Sequence, residues 1–371
     1  MKAGWQTKTL GEVLQKTETI NPLQSPEAEF DYIDVSSVSN TTFKIEETQT
    51  LKGKNASSRA RRLVKANDVL FATIRPTLRR IAVVTEHLDK QVCSTGYFVL
   101  RPKAEIDHRF VFYWLFTGDF MGQMECLQKG ASYPAVTDGE IRAQLIPVPT
   151  LSEQRRIVAI LDEAFDGIAT AKANAEKNLQ NARALFESHL QSVDDEKASL
   201  GDLVNITTGK LDANAATEGG RHPFFTCSRE VYAIDEHAFD CEAILLAGNN
   251  AVGDFNVKHY KGKFNAYQRT YVITVNEKNR VLYRFLYFQM LKNLKKFKTQ
   301  SVGTGTKFLK LGMIKNLEIA LPSLIEQQRI VSTMDSIREA TQRLESIYQR
   351  KLAALDALKK SLLHQAFSGH L

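Results

Sequence analysis

Apolar and small residues recur at alternating four- and three-residue spacings along two long proline-free stretches. The first runs through Ile157, Leu161, Ala164, Ile168, Ala171, Ala175, Asn178, Ala182, Leu185 and His189. The second lies 173 residues later, through Ile330, Met334, Ile337, Thr341, Leu344, Tyr348, Lys351, Leu355, Leu358 and Leu362. Alternation this long predicts two helices with a coiled-coil seam. Ahead of each the pattern is one of short apolar runs, Val69–Ala72 before the first and Ile244–Ala247 before the second, which read as buried strands. The aromatic stretches starting at Phe110 and Val281 read as helices packed on a sheet.

The two stripes belong to an internal repeat. Thr9-Leu10-Gly11-Glu12-Val13-Leu14 matches Ser199-Leu200-Gly201-Asp202-Leu203-Val204 at a shift of 190. Pro149-Thr150-Leu151-Ser152-Glu153-Gln154-Arg155-Arg156-Ile157-Val158 matches Pro322-Ser323-Leu324-Ile325-Glu326-Gln327-Gln328-Arg329-Ile330-Val331 at a shift of 173. Gly96–Leu100 echoes Thr270–Thr274, and the polar loops Gly130–Pro134 and Gly303–Lys307 precede the two prolines. Each copy is therefore a variable globular head followed by a helix. The first stripe is mostly alanine where the second is large, as in Ala164 against Ile337, Ala171 against Leu344 and Ala175 against Tyr348. Small holes facing large knobs favour pairing within one chain, antiparallel, with the heads at opposite ends. Asn178 and Lys351 share one repeat position, where a polar residue either fixes register or is plainly solvated. About 40 residues at ~1.5 Å each make a rod of roughly 60 Å. Faces of a duplex repeat every ~34–36 Å, so two heads on one face fit one turn apart rather than two.

Composition narrows the class. The chain has 371 residues, 43% hydrophobic and 25% charged, an ordinary globular balance long enough for two or three domains. Cys93, Cys126, Cys227 and Cys241 form no close pair for zinc or a redox dithiol and read as reduced core thiols of a cytosolic protein. The longest apolar clusters, from Phe110 to Phe116 and from Val281 to Leu291, fall short of the ~20 residues of a membrane span, and no signal peptide opens the chain, so a soluble, cytoplasmic protein is expected. The net charge of +7 conceals +7 within residues 44–80 and +12 within residues 258–310, set against −12 elsewhere. A solvated face explains either block alone. One block in each head instead suggests two surfaces that face a polyanion.

The doubled Pro-x-x-x-Glu-Gln-x-x-Ile-Val segment opening a long helix, with two variable heads, resembles the specificity subunit of type I restriction-modification systems. The likeness runs from Trp5-Gln6-Thr7-Lys8-Thr9-Leu10-Gly11-Glu12 to Ser361-Leu362-Leu363-His364-Gln365-Ala366-Phe367-Ser368-Gly369, although the first anchor carries Pro147-Val148-Pro149 where the second has Ala320-Leu321-Pro322. The resemblance implies an α+β architecture: two α/β target recognition domains separated by two long antiparallel coiled-coil helices in a pseudo-twofold repeat. Residues 1–150 and 199–322 would be the recognition domains and residues 151–198 and 323–371 the spacer helices. It further implies that each domain reads half of an interrupted site in double-stranded DNA, and that the helices dock two methyltransferase subunits. Two restriction subunits would complete the complex, and S-adenosylmethionine would belong to the methyltransferase, with no cofactor or metal bound by this chain.

Chemistry of the chain's own is sparse. Asn21-Pro22-Leu23-Gln24 lacks the second proline and the ring of an adenine methyltransferase motif and reads as a turn. Gly303-Thr304-Gly305-Thr306-Lys307-Phe308 lacks the spacing of a phosphate-binding loop. His189 reads as a helix-packing or partner contact, no pair of histidines has the ligand spacing of a helical metal site, and no Gly-x-Ser-x-Gly elbow is present. The candidates are therefore DNA contacts. Lys52, Lys54, Arg59, Arg61 and Arg62 cluster on a stretch expected to be an exposed loop, where arginine can bridge guanine and lysine neutralise phosphate. Arg75, Arg79 and Arg80 follow a strand and could track the backbone, and Lys258, Lys261, Lys263 and Arg269 interleave with Tyr260, Phe264 and Tyr267 in a mix suited to phosphate and stacking contacts. Ser132, Tyr133, Thr304, Thr306 and Lys307 sit on the two polar loops as groove-facing candidates, while Lys292, Lys295, Lys296 and Lys298 lie on a helix and fit a solvated face equally well. A coiled-coil adaptor binding RNA or acidic proteins without sequence specificity is the alternative from another class; a self-sufficient methyltransferase or nuclease is disfavoured by the missing motifs.

Overall fold

The computed structural model describes residues 4–191, 197–276 and 280–371. In chain order the elements are β1 (Gln6–Thr9), α1 (Leu10–Val13), β2 (Glu29–Ile33), β3 (Gln49–Lys52), β4 (Ala60–Leu63), β5 (Val69–Ala72), β6 (Ile81–Val83), β7 (Val92–Ser94), β8 (Tyr97–Leu100), α2 (His108–Trp114), α3 (Gly118–Leu127), α4 (Asp138–Arg142), β9 (Leu145–Val148) and the long α5 (Leu151–Gln191). The second copy follows with β10 (Lys197–Ser199), α6 (Leu200–Leu203), β11 (Val204–Thr208), β12 (His222–Phe225), β13 (Tyr232–Ile234), β14 (Phe239–Ala247), β15 (Asn249–Asn250), β16 (Val257–Ala266), β17 (Thr270–Val275), α7 (Tyr283–Lys292), α8 (Leu294–Gln300), β18 (Lys307–Phe308), α9 (Leu311–Lys315), β19 (Glu318–Ala320) and the long α10 (Leu324–Ser368). Two compact units result, Met1–Asn174 with Arg350–Leu371, and Ala175–Gln349. Each holds one head and a segment of both long helices. Among the described residues no helix is long and apolar enough to cross a membrane.

The first head carries a four-stranded sheet in the order β3-β2-β7-β4 and a three-stranded sheet β6-β5-β8; the second carries one six-stranded sheet, β11-β17-β14-β16-β12-β13. The faint echoes in sequence are one strand pair used twice. β5 meets β8 antiparallel with Val69 opposite Leu100 and Ala72 opposite Tyr97, and β14 meets β17 with Ile244 opposite Ile273 and Ala247 opposite Thr270. All four residues of β5 are buried, as befits a central strand covered on both faces. Phe110, Val111, Tyr113 and Trp114 of α2 pack on Phe71 and Phe98, and Phe285, Leu286, Phe288 and Met290 of α7 pack on Ile244 and Ile273. In both copies the strand before the short first helix pairs with the strand before the long helix, β1 with β9 and β10 with β19. Ile146 and Ile319 are buried at equivalent places, so Pro147 does not alter how the chain runs into α5.

The Glu-Gln pair that starts each long helix has a structural purpose. Gln154 and Gln327 are both fully buried, at 0% exposure. Gln154 accepts the backbone N–H of Asp107 at 2.8 Å and donates to the carbonyls of Glu105 and Pro149 at 3.2 and 2.9 Å. Gln327 repeats this, accepting from Leu282 N–H and donating to Arg280 and Pro322, each at 2.9 Å. Asp107 and Leu282 are the N-cap residues of α2 and α7, so one amide fastens the start of the long helix to the start of the head's main helix. Two turns further on, Asp162 pairs with Arg109 at 2.7 Å, and its repeat image Asp335 lies 3.0 Å from Arg284 Nε. Glu153 and Glu326 brace Arg156 and Arg329 three residues later on the same helices.

Several expectations are corrected by the packing. The buried face of α5 runs through Ile157, Leu161, Ile168 and Ala175, then through Leu179, Ala182 and Phe186 rather than Asn178, Leu185 and His189, which are exposed. The same slip occurs in α10, where Leu352 and Lys359 turn inward while Leu344, Lys351 and Leu358 are exposed. A straight α-helix repeats every ~3.6 residues and drifts by ~20° per heptad from a 3.5-residue stripe, which displaces the inward face by one residue beyond the middle of the helix. The small-against-large scheme at Leu344 therefore does not describe the buried face, and Asn178 and Lys351 are solvated positions. Cys93 is a core thiol, pushed up to about 12 by burial, whereas Cys126 is exposed.

Replacing Gln327 by Leu leaves Leu282 N–H and two carbonyls without partners inside the protein. A loss of about 3 kcal/mol is expected, or a melting temperature lower by roughly 6–12 °C. The exposed neighbour Gln328→Leu serves as control and should melt as wild type; equal melting of both variants would show that the buried amide contributes nothing.

Candidate nucleic-acid interface

In the first head, tertiary partners sort the basic residues into two groups. Lys52 and Lys54 are exposed and share Glu27, at 3.4 and 2.9 Å. Arg59 is exposed on the turn before β4. Arg61 and Arg62 do not lie on the expected loop. They are strand residues of β4, which pairs with β7 through an irregularity between Ala60 and Arg62. Arg62 binds Asp138 of α4 at 2.8 Å, and Arg61 folds back on the carbonyl of Ala60 at 2.8 Å. Arg80 donates to the carbonyls of Val35, Ser36 and Val38, so its charge ties down the chain after β2.

Arg75 and Arg79 are different. Both adopt left-handed backbone, φ 49° and 55°, on either side of the turn Pro76–Leu78, in which Pro76 is buried and Thr77 and Leu78 are exposed. An arginine held there costs on the order of 1–2 kcal/mol, strain that concentrates at functional surfaces. The Arg75 guanidinium lies 4.8 Å from the centre of the exposed Tyr133 ring and donates to the Ser132 carbonyl at 3.1 Å. Arg75, Ser132 and Tyr133 thus meet, although they are far apart in sequence.

The loop that supplies Ser132 and Tyr133 has a counterpart in the second head. Lys129 and Ala135 exchange two backbone bonds across it, both 2.9 Å; Val302 and Phe308 do the same at 3.1 and 2.8 Å. Each loop opens on a left-handed glycine, Gly130 with φ 111° and Gly303 with φ 115°. A Cβ on Gly303 would stand 2.0 Å from the Thr306 carbonyl oxygen, which only glycine permits. The loops attach identically as well, Val136 N–H to the Thr73 carbonyl at 3.0 Å and Leu309 N–H to the Gly248 carbonyl at 2.9 Å. The backbone frame is the same and the exposed side chains differ.

On the second frame Thr304 is exposed and Thr306 half-buried, while Lys307 belongs to β18 opposite Asn250. Arg269 lies 5.3 Å over the ring of Phe308. Lys261 and Lys263 are exposed on β16, the former 3.8 Å from Glu242. Lys258 is turned inward, donating to the Ser228 carbonyl and to Asn256 Oδ1, and burial lowers its affinity for a proton. Tyr260 and Phe264, expected as stacking residues, pack instead with Phe225 in a core cluster, because alternate residues of β16 face opposite sides. Lys292 ends α7 and Lys295, Lys296 and Lys298 lie on α8, where Lys295 pairs with Glu187 at 2.7 Å. Among the described residues no His, Cys, Asp and Glu cluster suits a metal ion.

The sequence reading missed Asp162, Asp335, Arg109 and Arg284, and it had the glutamines without their task. The identity of Gln154 with Gln327 and of Asp162 with Asp335 at the same 173-residue shift was the available signal.

Comparison with known proteins agrees with this duplicated architecture. Residues 2–180 and 193–352 match the type I restriction modification DNA specificity domain, and the chain belongs to that family. The specificity subunit of the type I restriction enzyme EcoDI from Escherichia coli is 39% identical over 179 residues, covering 48% of this chain and 39% of that protein's length. Two solved structures match along the whole chain. One, from work on the complex assembly and conformational transition of the type I R-M system, has a TM-score of 0.87 at 27% identity and is covered over 99% of its length. The other, the HsdS subunit from Thermoanaerobacter tengcongensis, has a TM-score of 0.68 at 26% identity with 98% covered.

The two groups of arginines should separate in solution. Arg80→Ala strands three carbonyls and should lower stability by about 1–3 kcal/mol, whereas Arg79→Ala should leave the melting point almost unchanged. Equal melting of the two variants would contradict the assignment.

Proposed function

We propose that the chain is the DNA-reading subunit of a type I restriction-modification complex, with each head reading one half of an interrupted site. The observation that carries this reading is the pair of loop frames, around Gly130 and around Gly303, that share one backbone hydrogen-bond pattern and present different exposed side chains. A common frame approaches each half-site in the same way, and different side chains select different bases. Of the exposed cations, Arg75 and Arg269 lie against frame residues and the others stand elsewhere on each head; together they supply sequence-independent attraction to phosphate, and arginine is the residue suited to base edges. Lys52, Lys54, Arg59, Arg75 and Arg79 with Ser132 and Tyr133 serve the first half-site, and Lys261, Lys263, Arg269, Thr304, Thr306 and Lys307 the second. Arg61, Arg62, Arg80 and Lys258 shape the surface through the contacts described above.

Catalysis falls to partners in this reading. Two methyltransferase subunits bring S-adenosylmethionine and dock on the long helices, where Leu185, Leu344, Ile347 and Leu358 are exposed apolar residues suited to a partner. Two restriction subunits complete the assembly, which works in the cytoplasm on the cell's own and incoming DNA.

Co-expression with the cognate methyltransferase, followed by mapping of methylated positions, tests the proposal. Methylation at one two-part interrupted motif is expected, and methylation at scattered or continuous motifs would refute it. Arg75→Ala with Tyr133→Ala should relax the motif at one half only, and relaxation at both would mean the frames do not read separately. Binding to the cognate duplex should weaken steeply with salt, and Lys263→Ala should flatten the log-log slope by about 1. Equal binding to any duplex would favour the non-specific adaptor.

A further inference from the structure

The long helices carry a charge pattern that the repeat makes legible. In the first unit the Lys172 ammonium of α5 binds the Asp356 carboxylate of α10. In the second unit Arg183 of α5 lies 2.6 Å from Glu345 of α10. Adding the repeat shift of 173 carries position 172 onto 345 and position 183 onto 356. The two bridges are therefore images of one another with the charges exchanged. Both cations stand on the first helix and both anions on the second.

Such a pattern distinguishes the two copies. Were α5 to face a second α5 in the same geometry, Lys172 would meet Arg183. Were α10 to face a second α10, Glu345 would meet Asp356. A third position adds to the second case. The half-buried Lys359 of α10 holds its ammonium 4.8 Å over the ring of Phe165 on α5, and the repeat image of Phe165 is Arg338. A ring that welcomes a cation would be replaced by another cation.

We propose that these helices form a self-refusing address: the helix of either half accepts the helix of the other half, from its own chain or from a second copy, and rejects a copy of itself. The internal repeat makes such a device necessary. Two copies of one unit share the same glutamine clasp and the same apolar spacing, so that beyond differences in side-chain size, such as Ala175 against Tyr348, apolar burial distinguishes them weakly. Like charges opposite one another supply the discrimination that shared hydrophobicity lacks. Each bridge is partly exposed and individually weak, but two attractions exchanged for two repulsions give a selectivity of roughly 10- to 100-fold at low salt.

Full-length chains suffice for the test. Lys172→Glu with Arg183→Glu makes both helices acidic at these positions, and Glu345→Lys with Asp356→Lys makes both basic. Each double variant should melt below wild type at low salt, and the quadruple variant, with all four charges inverted, should regain the wild-type melting temperature. Failure of the quadruple variant to recover would overturn the proposal, including the case in which it does not fold. A second measurement reads selection directly. When the two double variants are refolded together, native mass spectrometry should show mixed dimers in roughly tenfold excess over self-dimers, with the excess lost at high salt. Mixed and self-dimers in statistical proportion would also overturn it.

Discussion

One buried amide in each half holds the architecture together. A long helix and a head can share a chain without sharing an orientation unless something fixes the angle at which one leaves the other. Gln154 and Gln327 do this by accepting the backbone N–H of the residue that caps the head's main helix while donating to the carbonyls on either side. A buried side-chain amide with every partner present is rigid because each alternative leaves polar groups unsatisfied. The charged pairs of Asp162 and Asp335 with the second residue of α2 and of α7 add a contact two turns along, so the helix is held at two points. The same clasp used twice turns a duplicated sequence into a duplicated geometry.

What the heads do follows from that duplication. Once each helix leaves its head in a fixed direction, the loop frames around Gly130 and Gly303 are set relative to their own helix, and in the proposed reading base preference diverges in exposed side chains without disturbing the clasp. The first head invests in arginines held by left-handed backbone and a tyrosine ring; the second uses threonine, lysine and an arginine over Phe308. Charges that look alike in sequence are divided between surface and scaffold, with Arg79 outward and Arg80 tied to three carbonyls.

The repeat, the helix starts and the buried strands Val69–Ala72 and Ile244–Ala247 were legible in the sequence because they depend on short-range pattern, whereas the pairing of those strands was not. Beyond Ala175 the inward face of the first helix was legible only at Ala182, since a seven-residue stripe and a straight helix part company with length. The fate of individual cations was not legible. Arg62 is neutralised by Asp138, 76 positions away, and nothing local marks that pairing. Tyr260 and Phe264 were misassigned for a related reason: interleaved lysines and rings on a strand describe two opposite faces, and only the sheet's packing says which is inside. The loop residues beside Gly130 and Gly303 could be picked out, but their identity of frame needed the backbone bonds.

The central claim is that the two glutamine amides lock the heads to the helices. Hydrogen exchange at the Asp107 and Leu282 amides measures this directly. The account predicts that both exchange only when their unit unfolds, and that Gln154→Leu and Gln327→Leu each release the amide of their own half while leaving the other protected. Exchange of these two amides in the wild-type protein at the rate of exposed loop positions would contradict it.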